Sequence, residues 1–502
     1  MHYSLDNLKG DLIAGTTAAL VALPLALAFG IASGLGPGAG LLGAIIAGFI
    51  ASMFGGTPLQ ITGPTAPMTI LVATIVASHG AGIALLTIAF AGLFQIAFGI
   101  LKLGKLIEYL PRPVVSGFMT GIALLIIIEQ LKKFIPTGYL AVLVMTSCAL
   151  FLILWSRFSF PVPGAIVIVV ASIIWSFFIG TPLTAIGEIP PINFEIFFPL
   201  NFSLEVILLP AISLAVLGSI DTLLTSVIVD RMAGTRHSSN KELIGQGLGN
   251  TAAGLLGGLA GAGATIRTII NVRSGASSRL SSTVHSIILL LIALFFTSFF
   301  KHIYLAVLGG ILLYVGITII DYIALKNIKN VPLSDALIFF STTVMTVVFN
   351  LVVAVIIGVL IASILFIKRM TELSFKQVSV ESQLPPRKRA FAEKLSKKLA
   401  IYQLSGPLFF GAVSSFEKEL SKVYLPEYIL LKLFGVISVD ESGALALNDF
   451  IKDAKKKGCT ILICGIQEEP KRVMDKLGVL KTLGYANIFD KPLAAIMFVK
   501  KR

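Results

Sequence analysis

Charge is scarce in this sequence. Asp, Glu, Lys and Arg make up only 13% of its 502 residues, about half the roughly 25% of an average soluble domain. Cysteine is scarce too. Cys148, Cys459 and Cys464 are unevenly placed, so neither a disulfide framework nor a metal cluster is implied. With five histidines and no nucleophile–His–acid set, an enzyme is not expected. A cleavable leader is not expected either, because Asp6, Lys9 and Asp11 precede a full-length apolar segment and the first helix should stay as a span. What fills the chain is apolar: 56% hydrophobic residues and a mean hydropathy of +0.93. Runs such as Leu124–Ile128 and Ser286–Ile292 lie in segments long enough to cross a bilayer, which takes about 20 residues.

These segments predict fourteen spans, near 11–33, 38–56, 64–80, 82–102, 111–131, 139–156, 161–180, 204–226, 240–257, 263–273, 281–299, 303–323, 333–348 and 350–367, the third and tenth being half-helices. With the N-terminus inside, the inner loops hold Lys102, Lys105, Arg112, Arg157, Arg231, Arg236, Lys241, Arg273, Arg279, Lys326, Lys329, Lys368 and Arg369. The outer loops hold Lys132, Lys133 and Lys301, and the long outer connection from Gly180 to Phe202 has Glu188 and Glu195 but no basic residue. That asymmetry is the positive-inside rule. The formal charge of +14 therefore orients the chain in a membrane, and no nucleic-acid partner is expected.

Two spans break at matching places. The first break reads Gly55-Gly56-Thr57-Pro58-Leu59-Gln60-Ile61-Thr62-Gly63-Pro64-Thr65-Ala66-Pro67-Met68-Thr69, and the second runs from Gly257 to Thr268 through Gly261, Gly263, Ala264, Thr265 and Arg267. A helix that restarts inside the membrane presents unpaired N–H groups and a partial positive charge. Two such restarts in corresponding halves mark a transporter binding site. A repeat supports the pairing: Gly48–Gly56 precedes the first break and Gly249–Gly258 the second. Seven spans per half force opposite orientations on the two halves, as in inverted-repeat carriers. Pro64 and Pro67 interrupt backbone pairing at the first break, which is tolerated at that depth only beside a cavity. The second break has no proline and rests on its glycines. Gly15, Gly30 and Gly117 are read more simply, as allowing close helix packing.

Few charges fall inside the spans. Asp221 lies well within the eighth and reads as a coupling-ion or proton site. Thr225, four residues on, shares its helix face. A carboxylate, a hydroxyl and carbonyls from Gly263–Thr265 suit a hard cation such as Na+. The plainer reading makes Asp221 a structural carboxylate paired with Arg267. Two roles are open to Arg267 itself: neutralising an anion between the half-helix starts, or pairing with Asp221. Glu129, beside Lys132 and Lys133, reads as an interfacial pair, and Arg273 and Arg279 as inner-surface anchors.

The last hundred residues differ in kind. Residues 367–397 form a charged connector containing Pro385-Pro386-Arg387-Lys388-Arg389. Beyond Lys398, strands are predicted at Ala400–Leu404, Tyr428–Leu433, Thr460–Cys464 and Ala494–Val499, with helices at Ala412–Val423, Gly443–Lys457 and Pro470–Leu477. That alternation indicates a small α/β domain. The even span count places it in the cytoplasm. The chain thus divides into a membrane domain (1–370), a connector (371–397) and a C-terminal domain (398–502).

Several of these stretches carry a family likeness: Ala22–Gly30, Gly63-Pro64-Thr65-Ala66-Pro67-Met68-Thr69, Asn240-Lys241-Glu242-Leu243-Ile244-Gly245-Gln246-Gly247-Leu248-Gly249-Asn250, and Thr268–Gly275. On them the chain resembles the SulP (sulfate permease, solute-carrier 26) anion transporters over essentially its whole length, including their C-terminal STAS domain. The resemblance implies a polytopic α-helical membrane protein of seven-plus-seven inverted repeats, arranged as core and gate domains with a cytoplasmic α/β STAS domain. It implies elevator-like movement, a homodimer and a plasma (inner) membrane location with both termini cytoplasmic. From Gly218 to Thr265 the chain looks most like the sodium-coupled bicarbonate transporters. Carried over, Asp221, Thr225, Gly263, Ala264 and Thr265 would form a sodium site, with Na+ as coupling ion and no other cofactor. Thr65, Ala66, Ala264 and Thr265 would hold a small inorganic anion. Arg267 departs from that subgroup and matches members carrying sulfate, chloride or dicarboxylates, so it joins the anion set. Sodium-coupled bicarbonate uptake is the leading reading; proton-coupled sulfate or dicarboxylate symport, or anion exchange, is the alternative. An anion channel of the same fold and a receptor signalling through the STAS domain remain further classes. In that domain Val439-Asp440-Glu441-Ser442-Gly443 resembles the phosphorylated loop of anti-sigma-factor antagonists. Ser442 is expected to cap the following helix, and the domain to serve structure or dimerisation.

Overall fold

The structure is a computed structural model and describes residues 5–107, 111–158, 162–178, 182–188, 203–349, 351–370, 374–383, 395–420 and 426–501. Two compact units divide the chain, residues 1–359 and 360–502.

The first unit is helical and reproduces the expected order of spans. Helices α1 (Leu5–Ala32) and α2 (Pro37–Phe54) lead to strand β1 (Thr62–Pro64) and helix α3 (Ala66–Ile100). The last contains two segments, because Gly80 at φ 82° breaks it; only glycine enters that left-handed region without strain. After the short α4 (Gly104–Ile107) come α5 (Arg112–Phe134), α6 (Tyr139–Trp155) and α7 (Gly164–Phe178). The second half repeats the pattern with α8 (Leu204–Ala233), α9 (Ser239–Leu255), strand β2 (Gly261–Gly263), α10 (Thr265–Arg273) and α11 (Arg279–Phe295). It closes with α12 (Thr297–Phe300), α13 (Leu305–Ile319), α14 (Tyr322–Asn327) and α15 (Leu333–Val348), and the boundary between the units falls within α16 (Leu351–Met370). Among the described residues six helices are long and apolar enough to cross a bilayer, and five apolar helices are shorter. Helix α10, nine residues long, spans about 13 Å, under half of the hydrocarbon core. Most of the long outer connection, residues 189–202, lies outside the described residues.

Packing separates the helices into two groups. In one, α3 packs on α8 and α9, α2 on α9 and α11, and α1 on α2, α10 and α11. In the other, α5 packs on α13 and α15, and α13 on α6. Helix α1 touches α13 and α7, and α3 touches α5, between the groups. Small residues permit these crossings. A Cβ at Gly245 would stand 2.4 Å from the Gly55 nitrogen, so α9 meets the end of α2 backbone to backbone. The packing roles read for Gly15 and Gly117 hold: their missing Cβ atoms would meet carbonyls of Ser281 at 2.3 Å and Phe339 at 2.4 Å. Glu129 pairs with Lys132 at 3.4 Å, and Arg279 donates to the Ser52 and Met53 carbonyls at 3.2 and 3.3 Å.

The second unit holds a five-stranded sheet in the order β3 (Ser374–Val378), β4 (Leu399–Ser405), β5 (Tyr428–Gly435), β6 (Thr460–Cys464), β7 (Ile488–Phe489). β3 is antiparallel to β4 and the others are parallel. Side chains alternate along β5: Ile429, Leu431 and Leu433 face one core, Leu430 the other. Both faces are covered, as parallel sheets require. Burial pushes the Cys459 and Cys464 thiols up to about 11, so both are protonated packing groups at neutral pH. Three corrections to the sequence reading arise here. Ala494–Val499 is not a strand but part of the helix Pro492–Lys501, whose buried Ala495, Ile496 and Val499 have helical spacing; a short apolar run fits either element, and the last strand is Ile488–Phe489. The stretch read as connector contains β3. The helix cap is Asp440, which accepts from Gly443 N at 2.8 Å and from Phe410 N at 2.9 Å, so Ser442 stands exposed in the first turn instead. Pro385–Arg389 lies outside the described residues.

Candidate functional site

β1 and β2 form an antiparallel ladder in the middle of the first unit, with Thr62 opposite Gly263, Gly63 opposite Ala262 and Pro64 opposite Gly261. All six residues are buried. One residue after each strand a helix begins, capped by Thr65 for α3 and Ala264 for α10. Antiparallel pairing sends the two helices away in opposite directions while both starts stay beside the ladder. Neither cap side chain bonds its own helix, so first-turn N–H groups remain for a ligand, each start carrying about half a positive charge. Thr65, Ala66, Asp221, Ala264, Thr265 and Arg267 line one cavity of about 90 Å³. Its apolar walls include Phe29, Met119 and Ile319. That space is far below the roughly 300–1,000 Å³ of pockets for drug-sized molecules, and suits a small ion.

Helix α8 forms one side of this cavity. Asp221 is 8% exposed, and its Oδ2 has no hydrogen-bond partner among the described residues. The Thr225 hydroxyl, one turn on, donates to the Gly263 carbonyl at 2.9 Å and lies 2.6 Å from the Thr265 hydroxyl. Thr222 accepts from Gly263 N at 3.0 Å. Two threonines thus bolt β2 to α8. The Thr225 and Thr265 hydroxyls cluster with the Gly263 carbonyl, and Thr265 lines one cavity with Asp221; all four supply hard oxygen donors of the kind a hard cation takes. Thr225 and Gly263 lie behind the cavity wall rather than on it.

Arg267 is 2% exposed. Its Nη2 donates to the Pro64 carbonyl, and its Nη1, without a hydrogen-bond partner among the described residues, lies 2.6 Å from where a Cβ on Gly63 would stand. The guanidinium is therefore anchored on β1. Among the described residues no ion pair joins it to Asp221, although the two charges are near enough to interact. Part of the side chain still borders the cavity.

The sequence reading left several supporting residues without a role. Glu242 on α9, 2% exposed, accepts from Gly56 N at 2.7 Å, Thr57 N at 2.8 Å, Gln60 Nε2 at 2.8 Å and Gln246 Nε2 at 2.9 Å. Gln60 also meets Ser226 of α8 at 3.0 Å. Asn250 holds Gly261 with two bonds, accepting from its N–H at 2.8 Å and donating to its carbonyl at 2.9 Å. These side chains supply the partners that broken backbone needs in a membrane. Glu242 stands in the first turn of α9, directly after Ser239, Asn240 and Lys241, where an acid reads as an ordinary helix-start residue, so it carried no signal as sharp as that of Asp221. His285, fully buried on α11 with neither ring nitrogen partnered among the described residues, also went unread.

Broken helices meeting at a buried ladder, with unpaired N–H groups and a buried carboxylate beside them, define a membrane carrier of small ions. The model of the sulfate permease family matches residues 8–140 and 136–342, and that of the STAS domain matches 392–493. The chain belongs to the sulfate permease family, whose members transport anions. It is 39% identical to the bicarbonate transporter BicA of Synechocystis sp. over 96% of this chain and 93% of that one. The solved transmembrane domain of a cyanobacterial BicA is similar over 71% of this chain and 98% of its own, at 39% identity and a TM-score of 0.66. Murine solute carrier 26 member A9, solved in an inward-facing state, shares the fold with a TM-score of 0.88 at 19% identity, over 100% of this chain and 93% of its own.

Proposed function

We propose that the chain couples the uptake of bicarbonate to sodium. The observation that carries the reading is the buried Asp221 carboxylate, whose Oδ2 has no hydrogen-bond partner among the described residues and which lines one cavity with Thr265, whose hydroxyl meets that of Thr225 beside the Gly263 carbonyl. Burying a charged group without a partner is costly, and a coupling cation at Asp221, Thr225, Gly263, Ala264 and Thr265 offsets that cost. The anion sits against Thr65, Ala66, Ala264 and Thr265, on the two half-helix starts. Cation binding on one side of the ladder steadies β2 and with it the start of α10, so each ion favours the other. The likeness to BicA supports bicarbonate. The α1–α2–α3–α8–α9–α10–α11 group carries the site and moves as a body against the α5–α6–α13–α15 group. The protein works as a homodimer in the plasma membrane, with both termini and the STAS domain cytoplasmic, as the positive-inside asymmetry supports.

The test is uptake of labelled bicarbonate, sulfate and fumarate by purified protein in liposomes, under a sodium or a proton gradient. Saturable bicarbonate uptake driven by sodium is expected. Sulfate or fumarate uptake driven by protons alone would replace this reading with the alternative one.

A further inference from the structure

A second cavity, of about 380 Å³, begins where the first ends: Phe29 and Ala66 line both. It follows α3 from Ala66 to Ala77 and α5 from Leu125 to Phe134, and is closed by Leu305, Leu308 and Leu312 of α13. The eleven helical rises from Ala66 to Ala77 cover about 16 Å, half of a hydrocarbon core about 30 Å thick. The cavity is therefore a passage from the half-helix starts to the membrane face at which α5 ends.

Its polar lining is Thr69, Thr74, Glu129, Gln130 and Lys133. The threonine hydroxyls are spent on their own helix, donating to the carbonyls of Thr65 and Leu71, each at 2.8 Å. Glu129 is paired with Lys132, which is not part of the lining. The one acid on the passage is thus neutralised from outside it. Lys133 remains, its ammonium 5.9 Å from the centre of the Phe134 ring. One turn below, Gln130 is 6% exposed and borders the cavity, and among the described residues no hydrogen bond engages its amide. A cation at the mouth and an uncommitted N–H donor beneath it, in otherwise apolar walls, form a site for a small oxyanion on its way in.

We propose that Lys133 and Gln130 form a transit site for the anion, separate from the one between the half-helices, that draws substrate into the passage from one face only. The proposal rests on the carrier reading above. An exposed charge acts by raising the local anion concentration, and salt screens it.

The experiment compares right-side-out and inside-out vesicles carrying the full chain. Lys133→Gln should raise the KM for bicarbonate about 3–10-fold from the Lys133 face at low ionic strength, with kcat little changed and the KM from the opposite face unaltered. The effect should be larger for sulfate, should shrink at high salt, and should be reversed by Lys133→Arg. Gln130→Leu should raise the same one-sided KM without salt dependence. Lys132→Gln, which releases Glu129 on the passage, should raise the same one-sided KM by less than Lys133→Gln and leave the opposite face unchanged. Equal KM changes from the two faces, no change from either, or an equal effect of Lys132→Gln would overturn the proposal. Failure of the wild-type protein to move any anion would instead reject the carrier reading and the transit site with it.

Discussion

Single residues decide what the cavity holds. Arg267 was visible in the sequence as a charge one turn into the second half-helix, but its partner was not, because backbone carbonyls leave no mark in sequence. The two partners expected for it were an anion and Asp221; the structure adds the Pro64 carbonyl, with Asp221 near enough to interact. Removing it as Arg267→Gly takes a full positive charge from the cavity's edge. Sulfate uptake should then lose about tenfold more in kcat/KM than bicarbonate uptake, a difference of about 1.4 kcal/mol, measured side by side on the same vesicles. A ratio unchanged from wild type would show that the guanidinium contributes nothing to anion choice. Gly63 supplies a linked test. A Cβ there meets Arg267 Nη1 at 2.6 Å and Ala44 at 3.4 Å, so Gly63→Ala should dislodge the guanidinium and lower uptake. In the Gly63→Ala/Arg267→Gly pair the two losses should fall well short of additive, as for residues in contact; full additivity would place the glycine's role elsewhere.

At the scale of elements, the ladder and its two half-helices are the device, and α9 is what holds them. The breaks were legible because glycine and proline cannot continue a helix unpunished, and because the two breaks recur at corresponding places. The network beneath them was not legible, since a glutamate four residues from a glutamine says nothing of which loop they meet. Glu242 fixes the backbone of Gly56 and Thr57 and, through Gln60, reaches Ser226 on the helix that carries Asp221. Glu242→Gln replaces one acceptor with a donor facing a donor, and should cost about 2–3 kcal/mol, read as a lower midpoint of thermal unfolding in detergent. It should also raise the sodium concentration for half-maximal uptake while leaving the sulfate-to-bicarbonate ratio alone. A shifted ratio with unaltered sodium dependence would contradict the assignment of this network to the cation side. The same scale shows how short apolar runs mislead: Ala494–Val499 has the composition of a strand, and only the sheet beside it decides that its buried residues lie one helical turn apart.

For the molecule as a whole, composition alone separated a membrane unit from an α/β unit, and charge asymmetry supplies the orientation proposed for the first. The boundary was harder to read. Strand β3 sits within the charged stretch after the last span and pairs with β4 from Ser374↔Ser405 to Val378↔Ile401, so a truncation at residue 398 would strand an unpaired edge. Removing 371–502 avoids that edge. The truncated protein should show less expression or less dimer, while the KM for the anion stays within about twofold, an energy change of about 0.4 kcal/mol, because every residue of the cavity precedes the last span. A large KM change at normal surface level would make the STAS domain a direct gate.

The central claim is that Asp221 holds the cation that drives the anion. The measurement closest to it is sodium titration of labelled bicarbonate uptake in proteoliposomes, for wild type and Asp221→Asn, with folding checked by thermal unfolding. The wild-type protein should show saturable activation by sodium. The Asn variant should remain folded and lose gradient-driven uptake altogether, retaining at most downhill bicarbonate exchange that is indifferent to sodium. Sodium activation of equal depth and midpoint in the folded Asn variant would contradict the account.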